Sequence, residues 1–241
     1  MARGRADVPM PTSADAVEEL NDRLAAEHPI DDYYARSPAP VRWIEARRLR
    51  IISDLVAASP GCRLLEVGCG GGHVLRMFPQ ARLTAVDVSG TVLAVARRNL
   101  AGYQVEFRKG ALEELALPAR SFDRIICTEV LEHTVDPEAI LREMARLLAP
   151  HGRTVVTVPN DPLINRMKAL VRGTGVGWVL GGRIDWGGDH YHFHQWTPRE
   201  FHDVLTPHFR VVARRAAPFD SLPLRACFLC LPQPPHAAGG E

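Results

Sequence analysis

A short apolar strand pattern that runs directly into a glycine-rich turn constrains this chain more than any other feature of its sequence. The stretch LLEVGCGGGH covers residues 64–73, and such a turn lets a ligand approach backbone N–H groups at the start of the next element. Gly68 and Gly70 fit the dinucleotide fingerprint G-x-G-x-x-G, but its third glycine position is His73. The Gly-Lys-Ser/Thr of a P-loop is absent as well. The turn therefore indicates a ligand site that matches neither nucleotide motif.

Strand-like and helix-like patterns alternate along most of the chain. Apolar runs typical of buried strands cover 63–67, 82–88, 105–110, 122–127, 153–158, 209–215 and 226–231. Helical patterns cover 41–58, 72–78, 90–100, 137–148 and 197–205, and Ser89 is placed to cap the third of them. Strands that alternate with helices predict an α/β fold, Rossmann-like, with a mostly parallel sheet and helices on both faces.

The length of 241 residues fits one domain with an elaboration better than two independent domains. We expect this domain at 41–232, with an insert at 160–195 that is rich in glycine and aromatic residues. The polar composition of 1–40 predicts a partly disordered extension, and that of 233–241 a disordered tail. The N-terminus has no apolar stretch of a secretory signal, and no apolar run reaches about 18 residues, so neither a signal nor a membrane span is predicted.

The cysteines favour a reducing compartment, because the five in the chain are few and odd in number. We therefore expect a cytoplasmic protein. One pair, Cys227 and Cys230, has the CxxC spacing of a redox motif. It lies in a predicted strand, where positions i and i+3 point to opposite faces, so the pattern predicts inert core cysteines instead.

Two acidic residues stand where the first two predicted strands end. Glu66 lies two residues before Gly68, and Asp87 lies nineteen residues after it. An acid at the second position can accept hydrogen bonds from both ribose hydroxyls. An acid beside the glycines suits a cationic amine better than a pyrophosphate. A nucleoside with an amino-acid tail and a sulfonium, S-adenosylmethionine, fits both acids.

From about residue 60 to 160 the sequence resembles the class I S-adenosylmethionine-dependent methyltransferases. The resemblance rests on LLEVGCGGG, AVDVS, GALEEL followed by FDRIICTEVLEHTVDP, and LAPHGRTVVTVPN, in that order. It is strongest to the type 11 and ubiquinone-biosynthesis O-methyltransferases. The resemblance implies a seven-stranded sheet of order 3-2-1-4-5-7-6 with the last strand antiparallel, and the two late strand patterns supply the final pair.

The resemblance also implies a set of cofactor contacts: Arg48, Glu66, Gly68, Gly70, Asp87, Val88, Ala111, Leu112 and Thr128. Glu66 and the glycines would lie against the methionyl part, Asp87 on the ribose and Val88 on adenine. Thr128 would lie under the methionine. The acid that the family often carries after strand three is missing, so adenine would depend on backbone groups near Ala111 and on Leu112.

Arg48 lies twenty residues before Gly68, the spacing that in the ubiquinone-pathway enzymes places an arginine near the carboxylate of the cofactor. Arg47 and Arg50 are rival candidates on the same predicted helix.

The stretch CTEVLEH places Glu129, Glu132 and His133 at i, i+3 and i+4, which on a helix would be one face. The E-x-x-E-H pattern resembles that of ubiquinone-pathway O-methyltransferases and of small-RNA 2′-O-methyltransferases, in which these residues are associated with a divalent metal. The RNA enzymes add a distant histidine, and the alternating His190, His192 and His194 offer candidates here.

Three hypotheses for this cluster stay open. Glu129, Glu132 and His133 could hold a divalent metal, Mg²⁺ or Mn²⁺ if oxygen ligands dominate and Zn²⁺ or Fe²⁺ if histidines do. Alternatively, His133 or a distal histidine such as His190 could act as the general base. The third hypothesis is structural, since acids at a helix start favour its dipole.

The insert contains apolar residues at helical spacing, with basic residues between them: Leu163, Ile164, Arg166, Met167, Lys168, Leu170, Val171 and Arg172, followed by Trp178. One interpretation is a substrate lid that packs on the core. The other is a surface at 160–181 that makes peripheral contact with a membrane or a lipophilic substrate.

The sequence therefore predicts a methyltransferase that acts on a small molecule at a hydroxyl oxygen, of phenol, catechol or lipophilic type. The alternatives are C- or N-methylation of a metabolite, 2′-O-methylation of RNA, and a non-catalytic protein that binds S-adenosylmethionine. A formal net charge of +1 disfavours nucleic acid as a partner. The sequence does not predict an oligomeric state.

Overall fold

The computed structural model describes residues 18–19, 21–23, 37–173 and 192–234. Its strands are β1 (Arg63–Val67), β2 (Arg82–Asp87), β3 (Val105–Lys109), β4 (Phe122–Thr128), β5 (Leu148–Pro159), β6 (Phe209–Phe219) and β7 (Leu222–Pro232). The helices of the described ranges that follow residue 37 are α1 (Ala39–Val56), α2 (Gly90–Asn99), α3 (Pro137–Leu147), α4 (Asp161–Gly173) and α5 (Pro198–Leu205).

All seven strands form one sheet in the order β3-β2-β1-β4-β5-β7-β6. Strands β1 to β5 pair in parallel, whereas β7 runs antiparallel to both β5 and β6. The predicted α/β fold and strand order are confirmed. Because parallel strands end at the same edge of a sheet, the carboxyl ends of β1, β2, β4 and β5 meet in one place.

The sheet carries an apolar core on each face, since successive strand side chains point to opposite sides. Ile125 and Cys127 of β4 face the cluster that includes Met144 of α3, while Ile126 faces the cluster that includes Ile52 of α1 and Leu93 of α2. Both faces are therefore covered by helices, which leaves the strand ends as the place for a site.

The cysteines are buried and free, and Cys227 and Cys230 belong to the cores on opposite faces of the sheet. Burial raises the pKa of each of these two thiols to about 12. Neither is a thiolate at neutral pH, so the prediction of inert core cysteines is confirmed.

Local capping explains where two helices begin. The side chain of Ser89 accepts a hydrogen bond from the backbone N–H of Val92 and caps α2, as predicted. At α5, Thr197 and Glu200 form a reciprocal capping box. Such caps satisfy backbone N–H groups that have no partner inside the helix.

The predicted helix at 72–78 is wrong, because the chain forms only a single 3-10 turn at Leu75–Met77. Gly72 has a φ of +77°, and Pro79 follows shortly after, so few residues remain for a helix. Strand β5 also begins earlier than predicted, at Leu148 directly after α3.

Several predictions fall outside the described residues. These include most of 1–40 and of 233–241, and residues 174–191 of the insert with Trp178 and His190. The beginning of the insert forms α4, as its periodicity suggested. Among the residues that the structure describes, no helix is long and apolar enough to cross a membrane.

Candidate functional site

The glycine-rich turn follows β1 and packs closely against the end of β4. Gly68 has a φ of +65°, a conformation that L side chains rarely adopt. A Cβ at this position would lie 2.4 Å from Cγ2 of Val130, so the side chain of Val130 fills the space that a larger residue would need. Glycine is required here for backbone conformation and for close approach.

Asp87 connects this turn to the end of β2. Its Oδ2 accepts a hydrogen bond from the backbone N–H of Gly70 at 3.0 Å, and its Oδ1 accepts one from that of Ser89, also at 3.0 Å. Burial raises the pKa of Asp87, while these N–H groups oppose the rise. The carboxylate is thus held between the first two strands, where the sequence placed the ribose contact.

Glu66 lies in β1 with only 1% of its surface exposed. Burial raises the pKa of this carboxyl well above its ordinary value, and the guanidinium of Arg48 opposes the rise. Its Oε2 is buried and has no hydrogen-bond partner among the described residues. An unsatisfied buried carboxylate oxygen is costly, so this atom fits a ligand that brings a donor or a positive charge.

Arg48 is the buried member of the three arginines considered on α1. It is 4% exposed, whereas Arg50 is exposed and Arg47 is partly so. Its Nε donates to Oε2 of Glu45 at 2.8 Å, and its charge acts on Glu66. The structure therefore places the charge of Arg48 near Glu66, and its contact with the carboxylate of the cofactor stays a prediction.

The remaining predicted cofactor residues lie at the same edge of the sheet. Val88 and Ala111 are partly buried and follow β2 and β3, and Thr128 is the last residue of β4. Leu112 is almost fully buried in the core and opens a 3-10 turn at Leu112–Glu114.

Part of the N-terminal region also contacts this edge, which sequence reasoning did not predict. The hydroxyl of Ser89 donates a short hydrogen bond to Oδ1 of Asp22. Nζ of Lys109 lies 2.6 Å from Oε1 of Glu18. These contacts bring acidic residues near the ends of β2 and β3, but no pattern in the sequence signals the pairing.

The prediction that Glu129, Glu132 and His133 share a helical face is wrong. Glu129 has a φ of +56°, and only Leu131–His133 forms a single 3-10 turn. The Glu129 side chain is directed elsewhere: Oε1 accepts from Oγ1 of Thr157 at 3.0 Å, and Oε2 lies 3.1 Å from Nε of Arg225.

Glu132, His133 and His192 do come together. One potential ligand atom of each lies within 4.8 Å of those of the other two, and the two imidazole rings meet edge to face at 4.7 Å. Glu132 has no exposed surface, and neither carboxylate oxygen has a hydrogen-bond partner among the described residues. Burial raises the pKa of Glu132 well above its usual value, and the charge of Glu129 adds to the rise.

Asp161 is the site residue that sequence reasoning missed. It follows β5, is nearly fully buried, and places Oδ2 2.7 Å from Nδ1 of His192. A carboxylate on one ring nitrogen fixes the tautomer and leaves Nε2 of His192 for another partner. The only sequence signal was an acid directly after a parallel strand, in the stretch PND.

The segment that carries His192 is attached to the turn after β4. The backbone N–H of Phe193 donates to the carbonyl oxygen of Glu132 at 2.8 Å. Nε2 of His194 lies 3.0 Å from the carbonyl oxygen of Thr134, and its ring stacks on Trp196. Of the alternating histidines, His192 thus joins the cluster, His194 anchors the segment, and His190 lies outside the described residues.

Comparison with known proteins agrees with this fold. Residues 65–156 match the family model of a methyltransferase domain. A ubiquinone biosynthesis O-methyltransferase of Xylella fastidiosa (strain 9a5c) is 40% identical over 137 residues, which cover 55% of this chain and 55% of that protein. The chain thus matches about half the length of such curated relatives.

Solved methyltransferases share the fold at low sequence identity. The N-methyltransferase NodS of Bradyrhizobium japonicum WM9, in complex with S-adenosyl-L-homocysteine, has a TM-score of 0.64 at 19% identity, covering 89% of this chain and 96% of that one. The 1,6-didemethyltoxoflavin-N1-methyltransferase of Burkholderia thailandensis has a TM-score of 0.63 at 19% identity, covering 97% and 95%. Residues 65–156 thus resemble a methyltransferase domain, and the chain shares the fold of these solved methyltransferases.

Proposed function

We propose that this protein transfers a methyl group from S-adenosylmethionine to a hydroxyl oxygen of a small molecule. The observation that carries the proposal is the buried Glu66 carboxylate, whose Oε2 has no partner among the described residues, beside a glycine turn fastened by Asp87. A ligand with an ammonium group and a ribose satisfies both acids. The name of the Xylella relative supports oxygen as the acceptor atom.

The residues at the strand ends fit the parts of this cofactor. Glu66 and the glycine turn would hold the methionyl ammonium, Arg48 the carboxylate, and Asp87 the ribose hydroxyls. When bound, the cofactor supplies a methyl group on a sulfonium, which is its own leaving group. The task of the protein is therefore to orient the acceptor oxygen and to remove its proton.

Proton removal is the harder task for a phenolic acceptor. A phenol has a pKa of about 10 and a free imidazole one of about 6.5, so full transfer to histidine would be uphill by roughly 3.5 units, or about 5 kcal/mol. His133 lies in the cluster at the end of β4 and is the candidate base on the chain itself. General-base assistance of this kind contributes about 10²–10⁴-fold.

The same cluster fits a divalent metal. Glu132, His133 and His192 would hold it, because both oxygens of Glu132 are buried without a partner among the described residues and Asp161 orients His192. When bound, such a metal lowers the pKa of an oxygen ligand and orients it. The acceptor must lie at the end of β4 in either case, whether His133 acts as the base or a metal assists the reaction.

The acceptor that we favour is lipophilic. Leu170 on α4 is 68% exposed, and Trp43 and Phe219 are 50% and 55% exposed with ring centroids 5.6 Å apart. Phe219 ends β6 at the same edge of the sheet as Pro159 of β5, because β7 pairs with both strands there. Exposed apolar surface of this kind suits an apolar tail on the acceptor or a membrane surface.

A methyl-transfer assay tests the function directly. The protein is treated with EDTA and incubated with methyl-labelled S-adenosylmethionine and catechols with and without alkyl tails, with Zn²⁺, Mn²⁺ or Mg²⁺ restored in parallel. We expect labelled methyl ether, formed fastest with a tailed catechol and a restored metal. Methyl on a ring carbon would overturn O-methylation, and a rate independent of metal would overturn the metal site while leaving methyl transfer intact.

A further inference from the structure

Arg225 of β7 is partly buried and pairs with two carboxylates, Glu45 of α1 and Glu129 after β4. Its Nε lies 3.1 Å from Oε2 of Glu129 and 3.6 Å from Oε1 of Glu45. Glu45 in turn accepts from Nε of Arg48, whose charge acts on Glu66. Ion pairs thus run from Arg48 of α1, through Glu45 and Arg225, to Glu129, which follows β4.

Glu129 and Glu132 are three residues apart but differ in what they contact. Both oxygens of Glu129 have protein partners, Oγ1 of Thr157 on one side and Arg225 on the other. Both oxygens of Glu132 are buried without a partner among the described residues. Of the two carboxylates, only Glu132 is therefore free to take a ligand, although the sequence pattern treats them alike.

We infer that Arg225 is a positioning residue that withholds Glu129 from the metal and so sets which metal the site prefers. The inference rests on the metal site of the proposed function. With Glu129 paired, two imidazoles and one carboxylate remain, and such a donor set suits Zn²⁺ or Fe²⁺. A second carboxylate would make the site harder and more negative, which favours Mg²⁺ and Mn²⁺.

The backbone conformation of Glu129 agrees with this difference between the two carboxylates. Glu129 takes a left-handed φ of +56°, and its N–H donates to the carbonyl oxygen of Thr157 at 3.2 Å. The residue is therefore fixed to β5 by its main chain and its side chain. Removal of Arg225 would leave Oε2 of this partly buried carboxylate without its present partner, and a cation at the neighbouring cluster would compensate its charge.

Metal binding by stripped protein tests the inference without any measurement of turnover. Wild type, Glu129→Gln, Arg225→Gln and the double variant are titrated with Zn²⁺, Mn²⁺ and Mg²⁺ by calorimetry or chelator competition. We expect Glu129→Gln to bind each metal within about threefold of wild type. Arg225→Gln should bind Mn²⁺ and Mg²⁺ about tenfold more tightly, because one more carboxylate becomes available. The double variant should lose that gain.

Each outcome decides the matter. A loss of tenfold or more in metal affinity for Glu129→Gln would make Glu129 a ligand and overturn the inference, while the metal site itself would stand. If wild type binds no metal, the metal site and the inference are both wrong, and methyl transfer is judged by its own assay. Glu129→Gln preserves side-chain volume, so it remains informative if Arg225→Gln does not fold, and circular dichroism checks each variant.

Discussion

The proposed cofactor half of this site, at the ends of β1 and β2, and the proposed acceptor half, at the ends of β4 and β5, are built in different ways. In the cofactor half, Glu66, Gly70 and Asp87 lie on the adjacent strands β1 and β2 and the turn between them, and the backbone N–H of Gly70 donates to Oδ2 of Asp87. In the acceptor half, Glu132, Asp161 and His192 come from separate segments and meet through side chains. The geometry of the cofactor half depends on the two strands that form it. The geometry of the acceptor half depends on several segments that are distant in the chain.

The largest expected effect is the loss of the acceptor half through Glu132. Glu132→Gln removes the buried carboxylate from the cluster, and we expect methyl transfer to fall by about 10²–10⁴-fold. Affinity for S-adenosylhomocysteine should change by no more than about threefold. Turnover and calorimetric titration measure the two halves separately.

Glu138→Gln is the matched control, because Glu138 lies at the start of the next helix and half of its side chain is exposed. A parallel loss of cofactor affinity in Glu132→Gln would show that the two halves are not independent.

A smaller effect is expected at Asp161, which acts through His192. Asp161→Asn weakens the hydrogen bond that orients the ring, and loss of such a partner usually costs about 10–100-fold in metal affinity. Asp203→Asn is the control, since Asp203 is exposed and lies 3.4 Å from a ring nitrogen of His202. Equal metal affinity in both variants would refute the role of Asp161.

Substitution of Gly68 in the cofactor half should lower the stability of the protein, and Gly61, which precedes β1, provides the control. Gly61→Ala and Gly68→Ala both place alanine at positive φ, at a cost of about 1–2 kcal/mol. Only Gly68→Ala also meets Val130, whereas nothing lies within 4 Å of a Cβ at Gly61. Overpacking adds about 1–3 kcal/mol, so thermal unfolding should show a lower midpoint for Gly68→Ala. Equal unfolding midpoints of the two variants would contradict the close packing of Gly68 against Val130.

The smallest expected effect is a pH dependence that belongs to Glu66. Burial raises the folded-state pKa of this carboxyl, while in the unfolded chain it ionises near about 4.3. Its stabilising contribution is therefore complete below that pH and is lost as the pH rises through the folded-state pKa.

Urea unfolding of the ligand-free protein between about pH 5 and pH 8 measures this dependence. The free energy of unfolding should fall less steeply with pH in Glu66→Gln than in wild type, because glutamine does not ionise. Identical slopes would show that Glu66 does not titrate as described.

The same contrast explains how much the sequence could predict. The glycine turn, Glu66 and Asp87 belong to consecutive strands of the chain. The ends of parallel strands bring them together independently of how the rest of the chain folds. The acceptor half was only partly predictable. The predicted helical face at 129–133 is wrong because Glu129 adopts a left-handed backbone conformation and pairs with Arg225, which is distant in the chain. No periodic pattern in the sequence predicts the contact of Asp161 with His192.

Titration of the purified protein with S-adenosylhomocysteine shows whether Glu66 binds the cofactor. We expect a single site that is weakened at least tenfold by Glu66→Gln, because the buried carboxylate would lose its charge-assisted bond to the ligand ammonium. Glu106→Gln is the control, since its side chain is largely exposed on β3. Absence of binding to wild type, or equal affinity in wild type and Glu66→Gln, would contradict this expectation.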